Sequence, residues 1–78
     1  YIADGDMVLM EPIKDTYLIK NGTIVSALVP GLGTTLKYFF KRGNKISLEA
    51  ANPAYEPILL ELEEVVLQGK LLAVWRKI

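Results

Sequence analysis

Twelve residues near the middle, Thr34 to Lys45, constrain the fold most. Two threonines lead into Tyr38, Phe39 and Phe40, and Arg42-Gly43-Asn44 follows as a turn signal. Aromatic and β-branched side chains suit a pleated, half-buried surface, so the stretch reads as a strand entering a hairpin. Period-2 alternation puts Leu36, Tyr38 and Phe40 on one face and Thr35, Lys37, Phe39 and Lys41 on the other. Lys37 therefore has two readings. Beside buried apolar surface a lysine loses hydration, its charged form is disfavoured, and it can serve as a neutral base. On a wet face it is a solvated cation with its stem lying over Phe39.

The flanking segments carry the same β signature. Asp4-Gly5-Asp6 is a turn, and Met7 to Met10 is a short apolar run closed by Glu11-Pro12. Ile13 to Lys20 reads as a connection and Asn21-Gly22 as a tight turn. Thr23 to Val29 is a β-branched strand ended by the loop Pro30-Gly31-Leu32-Gly33. That loop lacks the lysine, hydroxyl residue and helix of a phosphate-binding loop. Lys45 to Glu49 alternates, and Asn52-Pro53 and Glu56-Pro57 oppose helix. Ile58 to Leu62 reads as a strand, with Glu61, Glu63 and Glu64 as a solvated edge. After Gln68-Gly69, the segment Lys70 to Ile78 is apolar on both faces, which predicts a strand buried on two sides, in the core or at a subunit contact. The sum is an all-β domain of about six or seven short antiparallel strands in compact, strongly bent sheets.

Composition removes several chemistries. The chain has no cysteine, so disulfides and thiolate catalysis are excluded. It has no histidine, which removes Ser-His catalysis, His metal ligation and the usual general base together. Nine basic residues balance nine acidic ones, so no basic excess marks a nucleic-acid surface. No apolar run approaches the length of a membrane span, and the expected setting is a reduced, cytoplasmic one. The chain is expected to be one domain over residues 1–78, cut from a longer protein, since Tyr1-Ile2-Ala3 run straight into a turn with no initiator Met.

Several segments, in order, resemble the C-terminal domain of the LexA-type self-cleaving repressors, and more broadly the peptidase family of LexA, UmuD and phage repressors. Ile2-Ala3-Asp4-Gly5-Asp6 followed by Met7-Val8-Leu9 is similar to that family's I-x-D-G-D turn and strand. Asn21 to Ala27 resembles its N-G-x-x-V-x-A strand. Thr35-Leu36-Lys37 with Gly43-Asn44 resembles the T-x-K hairpin that carries the catalytic lysine, and Asn52 to Ile58 its N-x-x-Y/F-x-P-I segment. Gly69 to Arg76 is similar to the closing strand. Tyr38 departs from the pattern where a basic residue is common, and Ala73 where glycine is frequent.

The resemblance implies a LexA/signal-peptidase-like fold and a Ser-Lys dyad, with Lys37 as general base. It places the serine upstream of Tyr1, together with the scissile linker and a helix-turn-helix domain that binds operator DNA. Ser26 and Ser47 do not match that serine. Ser26 remains a conceivable nucleophile beside Lys37, and otherwise a small residue in a packed strand. Without the upstream serine, this chain alone is expected to cleave nothing. The implied function is dimerisation and RecA-stimulated self-cleavage in a repressor of the SOS response to DNA damage, with the RecA–single-stranded DNA filament as a partner. Leu72, Val74, Trp75 and Arg76 are the expected homodimer contacts. No cofactor is implied. Two alternatives stay open: a dimerisation domain that does not cleave, and a UmuD-like polymerase accessory.

Overall fold

A computed structural model describes residues 7–75. It is all-β, with six strands in chain order: β1 (Met7–Pro12), β2 (Thr23–Val29), β3 (Gly33–Arg42), β4 (Lys45–Glu49), β5 (Ile58–Glu61) and β6 (Val66–Trp75). They form one antiparallel sheet in the order β1-β6-β2-β3-β4-β5, rather than several sheets. The 3-10 turns Thr16–Leu18 and Leu62–Glu64 occupy two of the connections.

The turn chemistry explains the hairpins. Arg42 pairs with Lys45 across Gly43-Asn44, and Gly43 takes φ 59. A positive φ at the first central residue belongs to a type II′ turn, whose twist matches that of the strands it joins. Asn21-Gly22 is a turn, but it leads into β2 instead of joining two paired strands. Only Gly22 of the two has positive φ (88), and the Thr23 N–H donates to the Lys20 carbonyl across the turn (3.2 Å). Three further bonds tie this turn to β3. The Gly22 N–H donates to the Phe39 carbonyl (2.7 Å), the Lys41 N–H donates to Asn21 Oδ1 (2.8 Å), and Asn21 Nδ2 donates to the Lys41 carbonyl (3.4 Å).

Partners in an antiparallel ladder share a sheet face. The registers Val25↔Lys37, Ala27↔Thr35, Thr23↔Phe39, Phe39↔Leu48 and Ile46↔Leu60 therefore collect one face. That face is the core: Val25, Ala27, Val29, Phe39, Ile46, Leu48 and Val65 are buried. Ile13 and Ile19 from the first connection pack against it, as do Ile58, Leu60, Leu62 and Leu67. The opposite face carries Leu28, Leu36, Leu59 and Val66, all exposed.

The β5 edge is guarded. It is four residues long and follows Pro57, which has no N–H to offer a further strand. The Glu61 N–H is taken by the Glu64 carboxylate (2.8 Å), completing a capping box on the Leu62–Glu64 turn. Glu61 itself forms an ion pair with Lys45. The hydrogen bond that Lys45 donates to Glu61, then the Glu61 charge, raise Lys45 above its usual pKa. A cation so raised is stabilising below the ordinary lysine range and loses that contribution as pH climbs through its folded value, so the pair persists at neutral pH.

The last strand departs most from expectation. β6 begins at Val66, ahead of Lys70, and runs unbroken through Gln68-Gly69 to Trp75. Its register against β2 shifts between Ser26 and Ala27, and against β1 between Leu9 and Met10, so it bends twice. Its end does not lie in the core, the first of the two settings expected for it. β2 pairs only with Val66 to Lys70, and beyond that β6 keeps β1 on one edge alone among the described residues. Leu72 is 53% exposed and Trp75 54%, while Val74 is half-buried. Arg76 lies outside the described residues.

Gly69 sits opposite Pro12 of β1. A Cβ there would stand 3.2 Å from the Glu11 carbonyl oxygen and 3.3 Å from Met10 Cβ. Alanine in a strand ordinarily gains on backbone entropy, but backbone and Cβ atoms cannot swing away. Gly69→Ala is expected to destabilise by about 1 kcal/mol, lowering Tm by roughly 4–8 °C in a domain this size. Thermal unfolding of the two proteins measures it; a raised Tm would show that β1 gives way freely.

Candidate active site

Lys37 lies mid-strand on β3, on the core side of the sheet. Its direct partner Val25 and its same-face neighbour Phe39 are both fully buried. Lys37 itself is half-buried, its stem crossing this apolar surface to a partly open end. The ammonium is not left to water. Nζ donates to Thr35 Oγ1 at 2.7 Å, and at 3.4 Å approaches the Leu36 carbonyl.

The first bond follows from strand geometry. Residues i and i+2 share a face, so Thr35 and Lys37 project side by side. The T-x-K spacing is thus an amine with a hydroxyl acceptor at fixed reach. In its neutral form the amine has two N–H donors and one lone pair. Donors committed to Thr35 and Leu36 leave that lone pair to take a proton from a nucleophile approaching over the core face. Sequence reading included Thr35 in a pattern but assigned it no task; the i, i+2 spacing was the signal for one.

The serines fall elsewhere. Ser26 pairs with Leu36, the residue before Lys37, and so faces the opposite side of the sheet. Its hydroxyl donates to Gln68 Oε1 (3.2 Å). Ser47 pairs with Phe40 on that same far face and donates to Glu49 Oε2 (3.1 Å). The register thus removes Ser26 as the nucleophile for Lys37, and Ser47 with it. Of the expected dimer residues, Leu72, Val74 and Trp75 lie on the outer part of β6, away from the Lys37–Val25 pair.

Two cavities frame this layout without containing Lys37. One, about 650 Å3, is lined by Phe40, Arg42, Ser47, Glu49 and Leu59 among others, toward the β3–β4 tip. The other, about 510 Å3, lies between β1 and the first connection, with Ile13, Leu18 and Ile19 as its apolar lining. Neither is lined by Lys37 or Thr35. Lys70 is the nearest second cation by ladder position. It pairs with Val25 on the strand beyond, and its ammonium stands 3.7 Å from the Glu11 carboxylate.

Residues 1–72 match the family described as Peptidase S24-like. The chain belongs to the Peptidase S24-like family. The match takes in the Asp4-Gly5-Asp6 segment, the T-x-K hairpin and most of β6. It supports the wider grouping of LexA, UmuD and phage repressors that the motifs resemble, and at family level it carries serine peptidase chemistry and self-cleavage. The absence of histidine does not conflict with that family, since a serine nucleophile can take an amine as its base.

Proposed function

We propose that this chain is the catalytic-lysine portion of a LexA-like C-terminal domain, a cytoplasmic repressor of the SOS response that cleaves itself when RecA filaments form on single-stranded DNA. The observation that carries the reading is the placement of Lys37. It is half-buried on the core face, flanked by fully buried Val25 and Phe39, and bonded to Thr35 Oγ1.

In the proposed reaction a serine upstream of Tyr1 supplies the nucleophile. Its hydroxyl proton passes to the Lys37 amine as Oγ bonds to the carbonyl carbon of a bond in the linker. Lys37 then returns that proton to the departing amine as the C–N bond breaks, leaving an acyl-enzyme ester that water hydrolyses. Thr35 positions Lys37 through the 2.7 Å bond. The RecA filament shifts the population toward the arrangement in which linker, serine and lysine meet. Cleavage separates the dimerising domain from the operator-binding one, and affinity falls with the lost effective concentration. The experiment is conversion of the intact protein to two fragments at alkaline pH. Cleavage that depends on the Lys37 amine supports the reading, and cleavage indifferent to it removes Lys37 from the mechanism.

Dimerisation rests on a separate observation. The outer part of β6 has an edge unpaired among the described residues and presents Leu72 and Trp75. A two-stranded ribbon is marginal by itself, and a second copy adding its own β6 would complete it in an isologous contact. This also favours the second reading, a domain that dimerises without cleaving. Trp75→Lys or Leu72→Lys should shift the intact protein toward monomer by at least about tenfold in dissociation constant. Sedimentation equilibrium measures this, and unchanged association would move the interface elsewhere. A UmuD-like accessory remains the third reading, distinguished by a short arm in place of a helix-turn-helix.

A further inference from the structure

Asn21 precedes Gly22. That order leaves an asparagine side chain most open to attack by the next backbone nitrogen, because glycine has no side chain to hinder the approach. The reaction needs no outside group except water. The Gly22 nitrogen loses its proton and bonds to Asn21 Cγ. The Cγ–Nδ2 bond breaks, and the amide nitrogen leaves as ammonia with the proton. Water then opens the cyclic imide at either carbonyl, giving aspartate or isoaspartate.

In the folded chain the reacting groups are engaged elsewhere. The Gly22 N–H is held by the Phe39 carbonyl at 2.7 Å. The Asn21 amide is held at both ends by the Lys41 backbone, Oδ1 at 2.8 Å and Nδ2 at 3.4 Å. Nitrogen and side-chain carbonyl are thus pinned to different residues of β3, and ring closure requires both to let go.

We propose that Asn21 is a conformation-gated deamidation site, closed while the start of β2 is docked on the end of β3 and converted when that end lifts. Conversion is one-way. A carboxylate at position 21 can still accept from the Lys41 N–H but has no donor for the Lys41 carbonyl. Isoaspartate goes further: it adds a backbone carbon before Gly22 and takes its N–H out of register with Phe39. The next core-side pair along this ladder after Thr23↔Phe39 is Val25↔Lys37, so the damage begins one step from the candidate lysine. The inference stands on the turn alone and does not depend on what Lys37 does.

The sequence supplies its own controls. Asn52 precedes Pro53, whose nitrogen carries no hydrogen and cannot close the imide. Asn44 precedes Lys45, whose side chain hinders attack. The test is to incubate the intact protein at mildly alkaline pH, native and in denaturant, and map peptides by mass spectrometry with isoaspartate detection. Asn21 should convert at least about tenfold more slowly when native, and its rate should climb through sub-denaturing urea as the strand end opens. Phe39→Ala should raise the native rate; should that variant unfold, the urea series on the unaltered protein decides. Equal rates in native and denatured protein would overturn the proposal. So would conversion of Asn21 no faster than Asn44 in denaturant.

Discussion

Lys37→Ala is expected to abolish self-cleavage of the intact protein while leaving its fold in place. A positioned general base contributes about 10²–10⁴-fold, and losing one member of a coupled nucleophile–base pair costs toward the upper end or beyond. The expected loss is therefore about a thousandfold or more. Lys37→Arg should not restore activity, since a guanidinium stays protonated and has no lone pair to offer. Thr35→Val should slow cleavage by roughly tenfold, the worth of a hydrogen bond to a charged or reacting group, and Thr35→Ser should recover most of it. That recovery separates positioning from packing, because serine keeps the hydroxyl and loses the methyl. Fragment appearance on gels gives the rates, and circular dichroism checks the fold. Cleavage of Lys37→Ala at the parental rate would remove Lys37 from the mechanism, whereas an unaltered protein that never cleaves would leave the non-cleaving reading standing.

Phe39→Ala should have the largest effect on stability. Phe39 is fully buried, and its ladder partner Leu48 is fully buried too. Truncating a buried phenylalanine costs about 3–5 kcal/mol through lost transfer energy and the cavity left behind. At roughly 0.05–0.15 kcal/mol per residue, a chain this short has only about 4–12 kcal/mol in total. The variant should then unfold near or below physiological temperature, or fold only with help from its partners. Leu59→Ala is the matched control: Leu59 is 77% exposed, and its loss should stay within about 0.5 kcal/mol. Chemical denaturation compares the two. A mild Phe39→Ala would mean that the neighbouring core residues collapse into the space.

Local chemistry explains why so much of the sheet could be read in advance. Strands β2 and β3 are β-branched or aromatic runs and β4 alternates, Gly-containing turns separate them, and each was legible within two residues of its ends. Apolar residues on both faces of the tail implied cover in the core or at a subunit contact, and Leu72 and Trp75 have no such cover within the single chain, which leaves the subunit contact as the expectation for them. The start of β6 was not legible either: the strand begins at Val66, ahead of Lys70, and Gly69 lies inside it where a Cβ would stand 3.2 Å from the Glu11 carbonyl oxygen. No pattern in a single strand reveals a neighbour that arrives from sixty residues away in the chain.

At the candidate site the division is sharper. Thr34 to Lys45, read alone, established a strand, a hairpin turn and a lysine two residues from a threonine, because strand alternation and turn chemistry are properties of neighbouring residues. It left Lys37 with two faces to choose from. The tertiary structure made the choice. Pairing with Val25 on one side and with the β4 ladder on the other put Lys37, Thr35 and Phe39 on the core face, and put Ser26 and Ser47 on the far one. A register shift of one residue would reverse every one of those assignments. Register is settled by long-range burial of Val25, Phe39, Ile46 and Leu48 together, and that sum exists only once the sheet has formed.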